Sequence, residues 1–332
     1  MRTLFGPAGL LVPAVLTFAA AFVACSEAPP PPPPAEAQRL EVQIPRADGS
    51  QQPAFVILPA GFDPQGEKRP LVVSLHSWSG DYTQRQKELE EGTVERGWIY
   101  LFPDFRGAND DPDACGSEAA QQDILDAAAW AQREYPVDPD RVYLTGGSGG
   151  GHMTLLMAAR HPEPWKAASA WVPISDLVAW YGKHAEERYG EMMRACTGGA
   201  PGDSPDVDEE YRKRSPLTWL AEAAPKLPPL DIAAGVRDGH EGSVPIRHSL
   251  EAFNAIAKAV GGEPVTEEEI AELSAGPEAR LASPKPSDQV EDAAFGRAIY
   301  LRREAGPARV TIFEGGHEAI AAGQLDWLAR HP

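Results

Sequence analysis

The fold class predicted by this sequence is α/β: a mostly parallel sheet with helices on both faces. Three observations predict it. Runs such as Pro70–Leu75 and Trp98–Phe102 are too continuously apolar for strands with one wet face, so they read as buried parallel strands. Between such runs the apolar residues fall at helical spacing, as for Ile124, Ala127, Ala128 and Ala131. The runs also end in small or polar turns, the position at which open α/β sheets hold groups that contact a ligand.

Taken in order, the chain begins with a targeting segment. Arg2 precedes an apolar run from Leu10 to Ala24 that is short for a bilayer span, which predicts a cleaved export signal over residues 1–24. Phe22-Val23-Ala24-Cys25 resembles a bacterial lipobox, in which Cys25 would be lipidated and anchor the chain to a membrane. An ordinary signal cut after Ala19-Ala20-Ala21 is the alternative. Pro29 to Pro34 form a polyproline II spacer, so residues 25–38 are expected to be a tether and 39–332 the folded domain.

The domain opens with an expected hairpin, Leu40–Ile44 and Ala54–Leu58, joined by the turn residues Ala47-Asp48-Gly49-Ser50. Pro70–Leu75 is a central strand that runs into His76-Ser77-Trp78-Ser79-Gly80-Asp81, and Trp98–Phe102 is the next. A helix spans Gly116–Glu134. Arg141–Leu144 is then a buried strand and Met153, Leu156 and Met157 continue as a helix. After a strand at Ala168–Ile174, residues 177–229 interrupt the alternation and predict a small lid. Its aromatics Trp180, Tyr181 and Tyr189 either line a cleft or pack the lid down. Leu230–Val236 and Arg309–Phe313 are the last expected strands, each followed by a helix; residues 261–308, acidic and rich in Ala and Pro, are expected to hold short helices and loop.

With 332 residues and 42% hydrophobic content, the chain can bury a sizeable core. Its formal charge of −19 gives no support to counterion-release binding of nucleic acid or anionic lipid and sets a modest bias against strongly acidic substrates. With Cys25 used at the terminus, Cys115 and Cys196 are left as one candidate disulfide in an oxidising compartment, or as two buried thiols.

Chemistry concentrates at Gly146-x-Ser148-x-Gly150, set between a strand and a helix. That context makes Ser148 a candidate nucleophile on a strained turn. A phosphate loop fits poorly, because His152 stands where a third glycine is needed and no Gly-Lys-Ser/Thr follows. A serine hydroxyl needs a base, and the base needs an anchor. Asp238 and His317 each follow a predicted strand, giving the chain order serine, acid, histidine of the α/β-hydrolase fold. Asp176 and Asp231 compete with Asp238, and His76, His152 and His240 compete with His317. The oxyanion hole is expected to pair the Gly149 amide with that of Trp78 or Ser77, Trp78 being preferred. No metal or organic cofactor is called for.

Leu75–Gly80, Pro103–Gly107, Gln122–Ala127, Val142–His152, Ser215-Pro216 and Gly315–His317 together resemble the catalytic domain of prolyl oligopeptidase-type serine hydrolases. The resemblance implies an α/β-hydrolase fold and a Ser148, Asp238, His317 triad acting on a peptide or small ester. Two features depart from the family. A large β-propeller usually precedes this domain, whereas here only the stretch before Leu40 does, which points towards esters. The family aspartate also stands close before a Val-Pro pair, whereas a longer, glycine-containing loop separates Asp238 from Val244-Pro245. The readings carried forward are an exported serine hydrolase, peptidase or carboxylesterase, and, from another class, a non-catalytic binding lipoprotein on the same fold.

Overall fold

A computed structural model of the chain describes residues 1–3 and 36–332. Cys25, the proline run and nearly all of the expected export segment lie outside the described residues. The opening hairpin is present as β1 (Gln38–Pro45) and β2 (Gln51–Leu58), paired antiparallel. Its turn works as its residues dictate: Gly49 takes φ 85°, and the Asp48 carboxylate accepts from the Ser50 amide at 2.8 Å.

Seven further strands complete the sheet: β3 (Arg69–Leu75), β4 (Ile99–Pro103), β5 (Val137–Gly147), β6 (Ala167–Trp171), β7 (Leu230–Gly235), β8 (Ile299–Ala305) and β9 (Ala308–Phe313). The order is β1-β2-β4-β3-β5-β6-β7-β9-β8. All pairings from β4 to β9 are parallel, and antiparallel strands close both edges. From β3 the chain goes first to β4 on one side and later to β5 on the other. The crevice beyond the carboxyl ends of β3 and β5 is therefore the sheet's switch point, where such sheets bind ligands.

The helices are α1 (Lys87–Glu95), α2 (Glu118–Glu134), α3 (Gly149–Arg160), α4 (Leu177–His184), α5 (Arg188–Thr197), α6 (Pro205–Arg214), α7 (Leu217–Ala223), α8 (Arg247–Ala259), α9 (Glu267–Leu273) and α10 (Ala321–Ala329). Both faces of the sheet are covered, and β3 shows the period-two consequence. Leu71, Val73 and Leu75 enter the large core with Ile124, Leu156 and Leu250, while Val72 enters a second core with Leu89, Leu325 and Leu328 from α1 and α10.

Two elements depart from expectation. Within the expected 177–229 insertion, α4 to α6 form their own cluster around Trp180, Met193, Cys196 and Tyr211, whereas Leu220 of α7 belongs to the main core. Within 261–308, where only short helices and loop were expected, α9 is such a helix but β8 is a strand. It turns Arg303 inward, where Glu269 accepts from it at 2.8 Å and Asp288 also pairs with it.

The lid is tied to the core through His152 on α3, whose Nε2 donates to the Arg214 carbonyl at 2.7 Å. Burial holds His152 down to about 4 and His248 on α8 to about 3, so both are neutral in the folded chain at neutral pH. An unfolded chain takes up these protons as pH falls below about 6.5, so their contribution is complete above that value and is lost as pH drops towards the folded values. For His152 alone the loss between pH 6.5 and 4 is about 3 kcal/mol. We expect the urea midpoint to fall steeply through that window and less steeply in His152→Gln. Equal slopes in the two proteins would contradict this account.

Candidate active site

Ser148 turns the chain between β5 and α3 at φ 59° and ψ −119°. A left-handed serine is strained, and the surrounding backbone has to enforce it. The glycines do so by allowing contact that no side chain permits. A Cβ on Gly146 would lie 2.5 Å from the Gly150 carbonyl, and one on Gly150 would lie 2.2 Å from the Leu75 oxygen. On Gly149 it would lie 2.2 Å from the Trp78 amide nitrogen. The first turn of α3 is thus pressed against the end of β3, and Ser148 stands at the switch-point crevice.

Three side chains from separate elements meet there. Ser148 Oγ lies 2.9 Å from His317 Nε2, and His317 Nδ1 lies 2.8 Å from Asp238 Oδ2. A carboxylate can only accept, so Nδ1 carries the proton and Nε2 is free to accept from the hydroxyl. Asp238 is fully buried, and its Oδ1 accepts from the Gly239 and Val244 amides at 2.9 and 3.1 Å. The long loop noted in the sequence closes over this carboxylate. A Cβ on Gly242 would lie 2.3 Å from Asp238 Oδ1 and 2.5 Å from His317 Cβ.

The competing residues are engaged elsewhere. Asp176 caps α4, accepting from the Val178 and Ala179 amides. Asp231 pairs with Arg309 at 2.8 Å inside the sheet. His76 stacks on Phe105 with its nitrogens at the Ser77 and Asp104 carbonyls, and His240 is exposed.

Of the two candidate amides, that of Ser77 is engaged by Gln84. Its Oε1 takes the Ser77 amide at 2.9 Å and the Ser77 hydroxyl at 2.9 Å. The Trp78 amide is left beside Gly149, whose own amide heads α3 and has no acceptor one turn earlier. Two amides thus stand next to Ser148, as a developing oxyanion requires.

A cleft of about 490 Å³ opens over Ser148. Its walls include Trp78, Val172, Tyr189 and His317, with Lys87 and Glu88 of α1. Of the lid aromatics, Tyr189 lines the cleft while Trp180 is buried, so both roles expected of them occur. The contribution of α1 was not foreseen from sequence. Cys115 and Cys196 are free, buried thiols in the lid cluster, not the disulfide that the sequence offered as one option. Burial, together with the neighbouring Cys196 thiol, pushes the Cys115 thiol well above its ordinary range. Among the described residues, no group of three or more His, Cys, Asp or Glu is placed to hold a metal ion.

Comparison with known proteins adds the following. An acetylxylan esterase from Coprinopsis cinerea is 30% identical over 123 residues, covering 33% of this chain and 33% of that protein. The esterase LipQ of Mycobacterium tuberculosis is 26% identical over 274 residues, covering 77% of this chain and 58% of that protein. The acylaminoacyl peptidase of Pyrococcus horikoshii superposes with a TM-score of 0.59 at 19% identity, over 89% of this chain and 40% of that one, which shows a common fold. The chain thus spans between a third and about three fifths of the length of these proteins. The model of the prolyl oligopeptidase family matches residues 88–266, more than half of the chain and inclusive of Ser148 and Asp238, and the protein belongs to that family.

Proposed function

We propose that this chain is a serine hydrolase that cleaves an ester or amide through an acyl-enzyme. The observation that carries the reading is the hydrogen-bonded relay Ser148, His317, Asp238. In the reaction, Ser148 Oγ bonds to the substrate carbonyl carbon while His317 Nε2 takes its proton. The Gly149 and Trp78 amides hold the oxyanion, and Asp238 stabilises the imidazolium. Collapse breaks the bond to the leaving group, which receives the proton from His317 Nε2. Water then repeats the sequence on the acyl-Ser148 ester and releases the acid.

Of the two substrate classes we favour esters, as a carboxylesterase. Support comes from the breadth of the LipQ match and from the acetylxylan esterase match. Export with lipid anchoring is the companion reading, supported by the apolar run Leu10–Ala24 directly before Cys25 and by the proline spacer after it.

A fluorophosphonate probe is expected to label the wild-type protein and not Ser148→Ala, while Asp238→Asn lowers kcat by about 10⁴-fold on p-nitrophenyl esters. Undiminished labelling of Ser148→Ala would sink the hydrolase reading. Faster turnover of peptide amides than of esters would reverse the substrate choice.

For the anchor, Cys25→Ser is expected to move the protein from the membrane to the soluble fraction of an expressing bacterium; unchanged membrane association would remove the lipoprotein reading.

A further inference from the structure

The loop that follows Asp238 is gripped from the lid. Trp180 Nε1 donates to the Ser243 carbonyl at 3.0 Å, and His184 Nε2 donates to the same oxygen at 2.7 Å. Lys183 Nζ donates to the Gly239 carbonyl at the other end of the loop. All three donors lie on α4, and Trp180 and His184 are buried, with exposures of 0% and 4%.

The Ser243 carbonyl and the Val244 amide belong to one planar peptide group, so their C=O and N–H bonds point in opposite directions. Fixing the oxygen towards α4 aims the N–H away from the lid. There it donates to Asp238 Oδ1 at 3.1 Å, leaving Oδ2 for His317. The lid thus acts on the carboxylate at one peptide's remove. On its other side, His184 Nδ1 donates to Glu187 Oε2 at 2.7 Å, so the ring donates from both nitrogens and its plane is fixed. Tyr189, a wall of the substrate cleft, packs on both donors, with ring centroids 5.0 Å from Trp180 and 5.4 Å from His184.

We infer that Trp180 and His184 are positioning residues for the reaction proposed above: by holding the Ser243–Val244 peptide they set the orientation of Asp238 and hence of His317. The inference rests on the reading of Asp238 as the triad acid. It gives α4 a part in the chemistry beyond covering the cleft. Leu177 and Met193 already pack the lid through apolar contacts. Two buried donors converging on the carbonyl of a peptide whose amide holds the acid add a polar coupling to that packing. A shift of the acid of about 1 Å is enough to cost one to two orders of magnitude in rate.

A double-mutant cycle tests it. His184→Leu removes the donor, and the rate at which a fluorophosphonate labels Ser148 reads how well the serine is activated. We expect His184→Leu to slow labelling by at least about tenfold in the wild-type background. In the Asp238→Asn background, where the carboxylate to be oriented is gone, the effect should shrink to less than about twofold. With p-nitrophenyl ester, kcat should fall while KM stays within about twofold. His184→Gln, whose amide can still donate to Ser243, should recover most of the rate.

Equal slowing in both backgrounds, or none in either, overturns the inference. Trp180→Phe removes the indole N–H while keeping an aromatic ring, and it reads the same coupling if His184→Leu does not fold. The two levels of reading fail differently. If Ser148→Ala is labelled at the wild-type rate, the hydrolase assignment falls, and this inference with it. If Ser148→Ala and Asp238→Asn lose activity while His184→Leu and Trp180→Phe keep the wild-type rate, only the lid coupling falls.

Discussion

The closeness with which the first turn of α3 approaches the end of β3 is the constraint on which the rest of the site depends. Side chains at Gly149 and Gly150 would stand 2.2 Å from backbone atoms of Trp78 and Leu75, so helix and strand end can meet only through glycine. That contact places the Trp78 amide beside Ser148, forces the serine into its left-handed turn and narrows the switch-point crevice to a cleft. The strain at Ser148 is held by the large buried sheet beneath it. Every residue of β4, β6 and β7 is buried, which gives the turn rigid walls to press against.

The second constraint is the satisfaction of buried polar atoms. Asp238 is fully buried and carries three hydrogen bonds, two from loop amides and one from His317. A charge in that setting is tolerated because each lone-pair direction it uses has a fixed donor. The same rule extends outward: the loop carbonyls released by the turn must find donors, and Trp180, Lys183 and His184 supply them. A lid that covers a cleft and an acid that orients a base thereby share one set of hydrogen bonds. Removal of a lid donor leaves the Ser243 carbonyl with one partner fewer in a water-poor environment, so the loop bearing Asp238 is where the structure would relax.

Much of this was legible in the sequence because it is locally encoded. Strand, Gly-x-Ser-x-Gly and helix are contiguous, and the acid and histidine each close a recognisable strand, so Ser148, Asp238 and His317 could be picked out before any coordinates. What stayed hidden depends on distant partners. The alternation of β8 is concealed because Arg303 occupies an inward position, and it can do so only through Asp288 and Glu269, which reach it from elsewhere in the chain. α1 carries a single core leucine, Leu89, among charged residues, so its helical stripe is faint although its first turn lines the cleft. The boundary of the lid was blurred because only Ser215 and Pro216 separate α6 from α7, and it is the packing of Leu220, Trp219 and Ala223 that assigns α7 to the main core. The oxyanion donor was ambiguous for the reason that amides have no side-chain signature; in the structure Gln84 occupies the Ser77 amide and leaves that of Trp78.

The polar inventory of the cleft bears on which acyl group fits. Gln84 is spent on Ser77, Gln86 donates to the Leu75 carbonyl and accepts from Ser74, and Gln324 donates to Thr145. Glu318, next to His317, is held by both Arg297 nitrogens and by the Gly316 amide. Facing a substrate are Tyr189, the apolar side of Val172, the exposed Ser79 and the exposed charges of Lys87 and Glu88 at the rim. A peptide backbone brings amide groups that need partners when desolvated, and each one left unpaired costs about 1–3 kcal/mol. On the ester reading proposed above, a small acyl ester would bring only its carbonyl, with the Trp78 and Gly149 amides beside Ser148 to meet it, while the exposed charges of Lys87 and Glu88 stand at the rim of the cleft.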